Sequence, residues 1–328
     1  MKNKIVIITG ANSGIGKAAA QIFAYAGYTV VMACRNLEKG EKALQEIVAA
    51  SNNKAVHLMQ VDMSSFASIS QFCIAYKERF DKLDILINNA GYFNHGEGRR
   101  LSPDGIEITF ATNVVGPFLL TELLKNELKK SDDPRVLNAS SNIIKHFFSP
   151  KKKLDFDNVS GDPDAGYKHS VYANYRDSKM AFLMLSFKMA EEYKELGITV
   201  NSLQINGARM SNETLQKFAP RWRVIAIIQN LFFPPAEFMG NNYFELCTSD
   251  DFAKKTGKQF NHKLKSMKKG PENPNPTHIW GSQVYPVYAA NKPVQDRIWN
   301  LCFDLTKNHL KSDTYSENLQ SHKLVACA

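Results

Sequence analysis

The chain reads Thr9-Gly10-Ala11-Asn12-Ser13-Gly14-Ile15-Gly16, directly after the apolar run Ile5-Val6-Ile7-Ile8 and directly before a helical period. Glycines at the spacing G-x-x-x-G-x-G let a chain leaving a strand turn tightly. They also let backbone N–H groups approach an anion at the N-terminus of the next helix, where the dipole favours negative charge. A pyrophosphate suits such a turn, so Gly10, Asn12, Ser13, Gly14, Ile15 and Gly16 form a candidate dinucleotide-binding loop.

Outward from this loop the first 200 residues alternate short β-rich runs with helical ones. Strands are expected over 4–9, 28–33, 55–61, 83–88, 135–139 and 198–203, and helices over 15–26, 37–50, 65–80, 105–130 and 173–196. Such alternation implies parallel strands joined by right-handed helical crossovers. Several strands are continuous apolar runs, as in a sheet covered on both faces. The expected fold class is therefore α/β: a doubly wound parallel sheet, the Rossmann fold, in a single domain with a C-terminal lid and tail.

Beyond residue 205 the pattern changes. The stretch 224–233 is apolar apart from Gln229-Asn230 and is stopped by Pro234-Pro235. Residues 241–246 read as the interior of a helix and 256–260 as a last strand. Three prolines between Gly270 and Pro276 forbid regular structure there, and a helix over 293–307 should fray beyond Lys311. These signals divide the chain into a catalytic unit over 1–265, with a substrate lid about 205–240, and a partly irregular extension over 266–328.

Composition narrows the class. Hydrophobic residues at 44% and charged residues at 22% exclude a disordered or low-complexity chain. No apolar run is long enough to span a bilayer, and the N-terminal run is too short for an export signal. Five cysteines, odd in number and without a CxxC pair, argue against a disulfide framework or zinc site and suit a reducing cytoplasm. The net charge of +9 is spread over short runs such as Lys151-Lys152-Lys153, which read as solvated surface with no nucleic-acid motif. His57, His95, His146, His169 and His262 lack ligand spacing, so no metal is expected.

The second strand ends at Ala33-Cys34-Arg35. An acidic residue there would hold a ribose 2′-hydroxyl and favour NAD; the guanidinium fork of Arg35 suits a 2′-phosphate, so the expected cofactor is NADP. Cys34 reads as strand packing.

Over roughly residues 4–260 the chain resembles the short-chain dehydrogenases/reductases. The motifs are the Thr9–Gly16 loop, Asp62 after the third strand, Asn88-Asn89-Ala90-Gly91 after the fourth, Asn113, Ser140-Ser141 after the fifth, and Tyr175-Arg176-Asp177-Ser178-Lys179. Thr9–Gly16 and Ala33–Glu41 look most like the retinol-dehydrogenase-like and protochlorophyllide-reductase-like branch. The resemblance adds Asp62 and Asn89 to the cofactor-binding residues. It implies a Tyr/Lys/Ser/Asn mechanism in which Tyr175 exchanges a proton, Lys179 also holds the nicotinamide ribose, and Asn113 holds a water leading to solvent. Adjacent strand residues face opposite ways, so Ser140 and Ser141 cannot both face the site, and the resemblance implies that the catalytic hydroxyl is the second, Ser141.

The residues themselves support that chemistry. Tyr175 and Lys179, four apart on a helix, share a face. A neighbouring ammonium should lower the phenol's pKa from about 10 toward neutrality, and a serine hydroxyl can stabilise charge developing on a carbonyl oxygen. Tyr172 is a pocket-wall candidate. The chain departs from the family in carrying Ile205-Asn206-Gly207 where relatives usually have Pro-Gly, in Ser211 where they have threonine, and in a longer stretch from Ser141 to Tyr175. That last stretch reads as a surface insertion over about 150–170.

The expected activity is therefore NADP(H)-dependent interconversion of a carbonyl and an alcohol on a small hydrophobic substrate. Two other readings are a catalytically silent dinucleotide-binding sensor or scaffold, and a reductase of conjugated C=C bonds. Val224, Ile225, Ile227, Ile228, Leu231, Phe232 and Phe233 should cover the substrate, or else dock on a membrane surface or a second subunit. A homo-oligomer fits the family, unless the C-terminal tail covers the interface.

Overall fold

Ile5-Val6-Ile7-Ile8 offers no polar side chain to water, and all five residues of strand β1 (Ile5–Thr9) are buried. Ile5 and Ile7 enter one apolar cluster and Val6 and Ile8 another, the two-residue alternation of a strand covered on both faces. The computed structural model describes residues 4–93, 97–156, 166, 168–216, 218 and 220–325. In it β2 (Thr29–Cys34), β3 (Val56–Gln60), β4 (Ile85–Asn88), β5 (Arg135–Ser141), β6 (Thr199–Ile205) and β7 (Lys258–Phe260) join β1 in one parallel sheet, ordered β3-β2-β1-β4-β5-β6-β7. The order reverses between β1 and β4, which opens a crevice at the carboxyl ends of those strands.

On one face, the helices Gly14–Tyr25, Leu37–Ser51 and Ala236–Thr248 contribute Phe23, Ile47 and Tyr243 to the core. On the other lie Phe66–Lys77, Gly116–Leu123 and Val171–Glu192, with Phe72, Phe118 and Met184. The final helix, Lys292–Val325, joins this second layer: Trp299 and Phe303 set their rings edge-on to Phe118, with centroids 5.2 and 5.0 Å away. It continues through Lys311, where fraying was expected, because no glycine or proline between 307 and 325 interrupts it.

Three other expectations need adjustment. The helix expected over 105–130 is broken into Ile108–Phe110, a π turn Ala111–Val115, Gly116–Leu123 and Lys125–Lys129. Pro117 has no N–H, so the carbonyl of Asn113 lacks its α-helical donor at the point where the pattern changes. The apolar run 224–233 belongs to a helix, Pro220–Phe232. The insertion begins as surface, with Lys151–Lys153 exposed, but Phe156 is buried under the Arg297 guanidinium, and Gly161-Asp162-Pro163-Asp164 lies outside the described residues. Among the described residues no helix is long and apolar enough to cross a membrane.

Candidate active site

The glycine loop leaves β1 under backbone constraints that favour glycine. Gly10 and Gly14 sit at φ +68° and +53°, and a Cβ on Gly16 would fall 2.4 Å from the Gly10 carbonyl oxygen. Gly10 N–H donates to Ala33 O at 2.8 Å, which ties the loop to the end of β2. Thr9 closes the other side, its Oγ1 accepting from the N–H groups of Asn89 and Ala90 at 3.0 and 2.9 Å. Ser13 begins the following helix in extended geometry and makes no side-chain cap bond. The N–H groups of Gly14, Ile15 and Gly16 therefore have no intrahelical acceptor, and no side chain satisfies them from the cap. This cradle fits a phosphate group.

The other cofactor candidates hold different positions. Asn89 acts as a clamp: Nδ2 donates to Thr9 O at 2.9 Å, and Oδ1 accepts from Tyr243 OH at 3.1 Å. Arg35 is exposed at the end of β2. Cys34 beneath it is buried, and burial pushes its thiol up to about 11 despite N–H donors at Ala11 and Asn12. Asp62 Oδ1 is engaged by Ser64 N–H and Oγ at 2.9 and 2.7 Å.

Strand β5 and the helix Val171–Glu192 bring the chemistry together. Asn88 Nδ2 donates to Asn138 Oδ1 at 2.9 Å, Asn138 Nδ2 to Ser186 Oγ at 2.8 Å, and Ser186 Oγ to Phe182 O at 2.7 Å. This buried chain sets the helix's position against β4 and β5. Ser141 and Tyr175 then stand on one cleft wall, and the Ser141 hydroxyl accepts from Ile143 N–H at 3.3 Å. Neighbouring Ser140 is buried, and its hydroxyl oxygen makes no hydrogen bond. Lys179, 4% exposed, donates from Nζ to Ala139 O at 2.9 Å.

The expected pKa coupling is absent from this arrangement. Lys179 Nζ lies 5.7 Å from the Tyr175 ring centroid, and burial raises the phenol's pKa, with Ser141 partly opposing it. Burial also lowers the Lys179 amine to about 8. The i,i+4 spacing put both groups on one face, but the ammonium turned to the nearer carbonyl, which no periodicity reveals.

Asn113 is buried within the π turn. Its Oδ1 accepts from Tyr92 N–H at 2.7 Å, and its Nδ2 donates to Tyr92 O at 3.1 Å and Ser178 Oγ at 3.0 Å. The side chain is thereby occupied as a pin between the loop after β4 and the helix carrying Tyr175.

Two cavities meet at this centre. A cleft of about 850 Å³ runs from Ser13, Gly14 and Ile15 past Asn89 to Ser141, Tyr175 and Lys179. Gly10, Asn12, Gly16, Arg35 and Asp62 are not on its wall. Beside it is an apolar cavity of about 700 Å³, lined by Tyr172, Trp222, Ile225, Ala226 and others. Phe93, Met210 and Phe233 border both. Phe93 lies over Tyr175 with ring centroids 4.4 Å apart, and Phe233 rests where a Cβ on Gly207 would stand, 2.5 Å from it. Asn230 on the overlying helix accepts from Met210 N–H at 2.6 Å.

Phe233 was among the residues expected from the sequence to cover the substrate; Phe93 and Met210 were not singled out. For Phe93 a signal existed, since it follows the turn after β4, on the edge where such sheets bind ligands. Ser211 lies on the cleft wall, accepting from Thr214 N–H at 3.3 Å, and Tyr172 bonds His146 Nε2 through its hydroxyl at 2.8 Å. His57 packs on Phe80, His169 Nε2 contacts Glu97 O and His262 contacts Asn206, each in a separate place. His95 lies outside the described residues.

The short chain dehydrogenase family profile matches residues 4–148. Human retinol dehydrogenase 13 is 36% identical over 208 residues, covering 63% of this chain and 59% of that protein, less than two thirds of its length. Mouse retinol dehydrogenase 12 is 31% identical over 304 residues, covering 92% of this chain and 86% of that protein. Among solved structures, a short-chain dehydrogenase of Shigella flexneri in complex with NADP superposes with a TM-score of 0.62 at 22% identity, covering 80% of this chain and 98% of that one. The fold alone follows from that likeness. With identity to retinol dehydrogenase 12 running through nearly the whole sequence, the chain belongs to the short-chain dehydrogenase family, in its retinol-dehydrogenase-like branch.

Proposed function

We propose that this oxidoreductase interconverts a carbonyl and an alcohol on a small apolar substrate with NADP(H), and that Tyr175 exchanges the proton. The observation that carries the reading is one cleft that starts at the glycine loop, has Ser141, Tyr175 and Lys179 on its wall, and adjoins an apolar cavity. The nicotinamide, when bound, supplies or accepts the hydride. The residues fit the cofactor: the unsatisfied N–H groups of Gly14, Ile15 and Gly16 suit its pyrophosphate, and Arg35 suits a 2′-phosphate.

At neutral pH the buried phenol of Tyr175 is protonated, so it can donate to a carbonyl oxygen during reduction. Ser141 orients the same oxygen. Lys179, with its amine at about 8, stands near enough to neutrality to return a proton toward Tyr175. Tyr172, Trp222 and Ile225 enclose the apolar part of the substrate, with the helix Pro220–Phe232 as lid. Burial of the free cysteines Cys34, Cys73, Cys247 and Cys302 suits a protein of the reducing cytoplasm.

Two results test this reading. NADPH should bind at least ~10-fold more tightly than NADH, equivalent to about 1.4 kcal/mol, and Arg35→Asp should abolish or invert that preference in fluorescence titrations. Equal affinities in the unmodified protein would remove NADP selectivity. Within the apolar cavity, the double variant Trp222→Ser/Ile225→Ser should raise KM for a long-chain aldehyde by roughly tenfold and leave a short aldehyde nearly unaffected. Similar KM changes for both aldehydes would detach this cavity from substrate binding.

A further inference from the structure

The helix Pro220–Phe232 has a second apolar face that covers nothing among the described residues. Trp222, Ile225, Ala226 and Gln229 line the cavity, and at about 100° per residue Val224, Ile227, Ile228 and Leu231 stand on the opposite side. These four are 60%, 46%, 54% and 73% exposed, and Phe232 beside them is 83% exposed. Their spacing, i, i+3, i+4 and i+7, is that of a stripe meant for burial. Soluble monomers rarely expose such a patch without a partner.

We propose that this stripe docks flat on an anionic lipid bilayer, so that the cavity beneath the same helix receives its substrate from the lipid phase. Charge favours this occupant. Residues 220–236 include Arg221 and Arg223 and no acidic residue; the nearest acids in the chain, Glu213 and Glu237, fall outside. Arg223 donates to the carbonyls of Gln216 and Phe218, which fixes a cation at the helix's N-terminal end. Exposed Arg209 is tethered at the other end by its N–H to Pro234 O at 2.8 Å. An apolar stripe bordered by arginines on a short helix is the pattern of an interfacial helix facing anionic headgroups.

Area disfavours a second copy of the chain. A helix of 13 residues is about 20 Å long and ~10 Å wide, so two such faces back to back bury roughly 400 Å², well below the ~1,000 Å² of a stable protein interface. A bilayer imposes no such minimum, because headgroups and acyl chains close around a single helix. Docking stands on the helix alone; only substrate delivery rests on the proposed reaction.

The test is co-sedimentation of the full chain with phosphatidylcholine vesicles containing about one-third phosphatidylserine. The wild type should bind, more weakly without phosphatidylserine or in high salt. The double variant Ile228→Glu/Leu231→Glu should bind at least ~10-fold more weakly, with its thermal midpoint, NADPH affinity and turnover of a short water-soluble aldehyde unchanged. Phe232→Ser, at the most exposed position, should weaken binding in the same direction with a smaller perturbation. Absence of wild-type binding, or equal binding by the variants, overturns the proposal. So does a wild-type dimer that the double variant splits while vesicles bind neither form. Sedimentation requires no turnover, so a wild type that binds vesicles but consumes no NADPH would refute the reaction and leave docking standing.

Discussion

Tyr175→Phe is expected to lower kcat by roughly a thousandfold or more, within the range that a positioned general acid or base contributes. The substitution removes one oxygen from a half-buried ring and leaves the ring's contact with Phe93 in place. Ser141 keeps its contact with Ile143 N–H at 3.3 Å, so the fold should hold. Affinity for NADPH should change little, because the glycine loop lies at the other end of the cleft. Steady-state rates with cofactor titrations check both parts. Activity within tenfold of wild type would require a different proton donor.

Lys179→Met should abolish most of the activity and yet stabilise the protein. The amine is almost wholly buried, its one described acceptor is a neutral carbonyl, and burial lowers it from 10.5 to about 8. Below pH ~8 the amine is charged in both folded and unfolded chains, and the full cost of burying that charge is present. Between about 8 and 10.5 the unfolded chain holds the extra proton, so wild-type stability should rise with pH through that window. The depression corresponds to about 3 kcal/mol, which Lys179→Met should gain at pH 7 and should no longer show as a pH-dependent rise. Denaturant unfolding at pH 7 and pH 10 reads the difference. A variant less stable than wild type at pH 7, with the pH dependence intact, would mean that the amine is better solvated than its burial implies.

What could be read from the sequence was what local chemistry alone dictates. Gly10 and Gly14 take left-handed backbone that favours glycine, Gly16 leaves no room for a Cβ, and the apolar runs that alternate with helical periods in the first 200 residues read as strands covered on both faces. Tyr175 and Lys179 were visible as a pair through helical period. The rest depends on contacts distant in the chain. Lys179 chose Ala139 O, forty residues earlier, over the neighbouring phenol. Phe93 and Phe233 approach the site from separate loops, and Phe233 needs the bare Cα of Gly207. The run 224–233 was recognisable as apolar, but only its helical form shows that Ile225 faces the cavity while Ile228 and Leu231 face outward. The C-terminal helix was legible over 293–307, but its partner shows only when Trp299 and Phe303 are seen against Phe118.

The central claim is that the apolar cavity and the Ser141–Tyr175 pair serve carbonyl reduction with NADP(H). Its most direct test is mass spectrometry of the alcohol formed from a long-chain aldehyde in the presence of NADPH deuterated at C4. The account predicts a product heavier by one deuterium, formed by the wild type and lost in Tyr175→Phe. An alcohol without the label, or no alcohol from any apolar aldehyde or ketone offered with either nicotinamide cofactor, would contradict it.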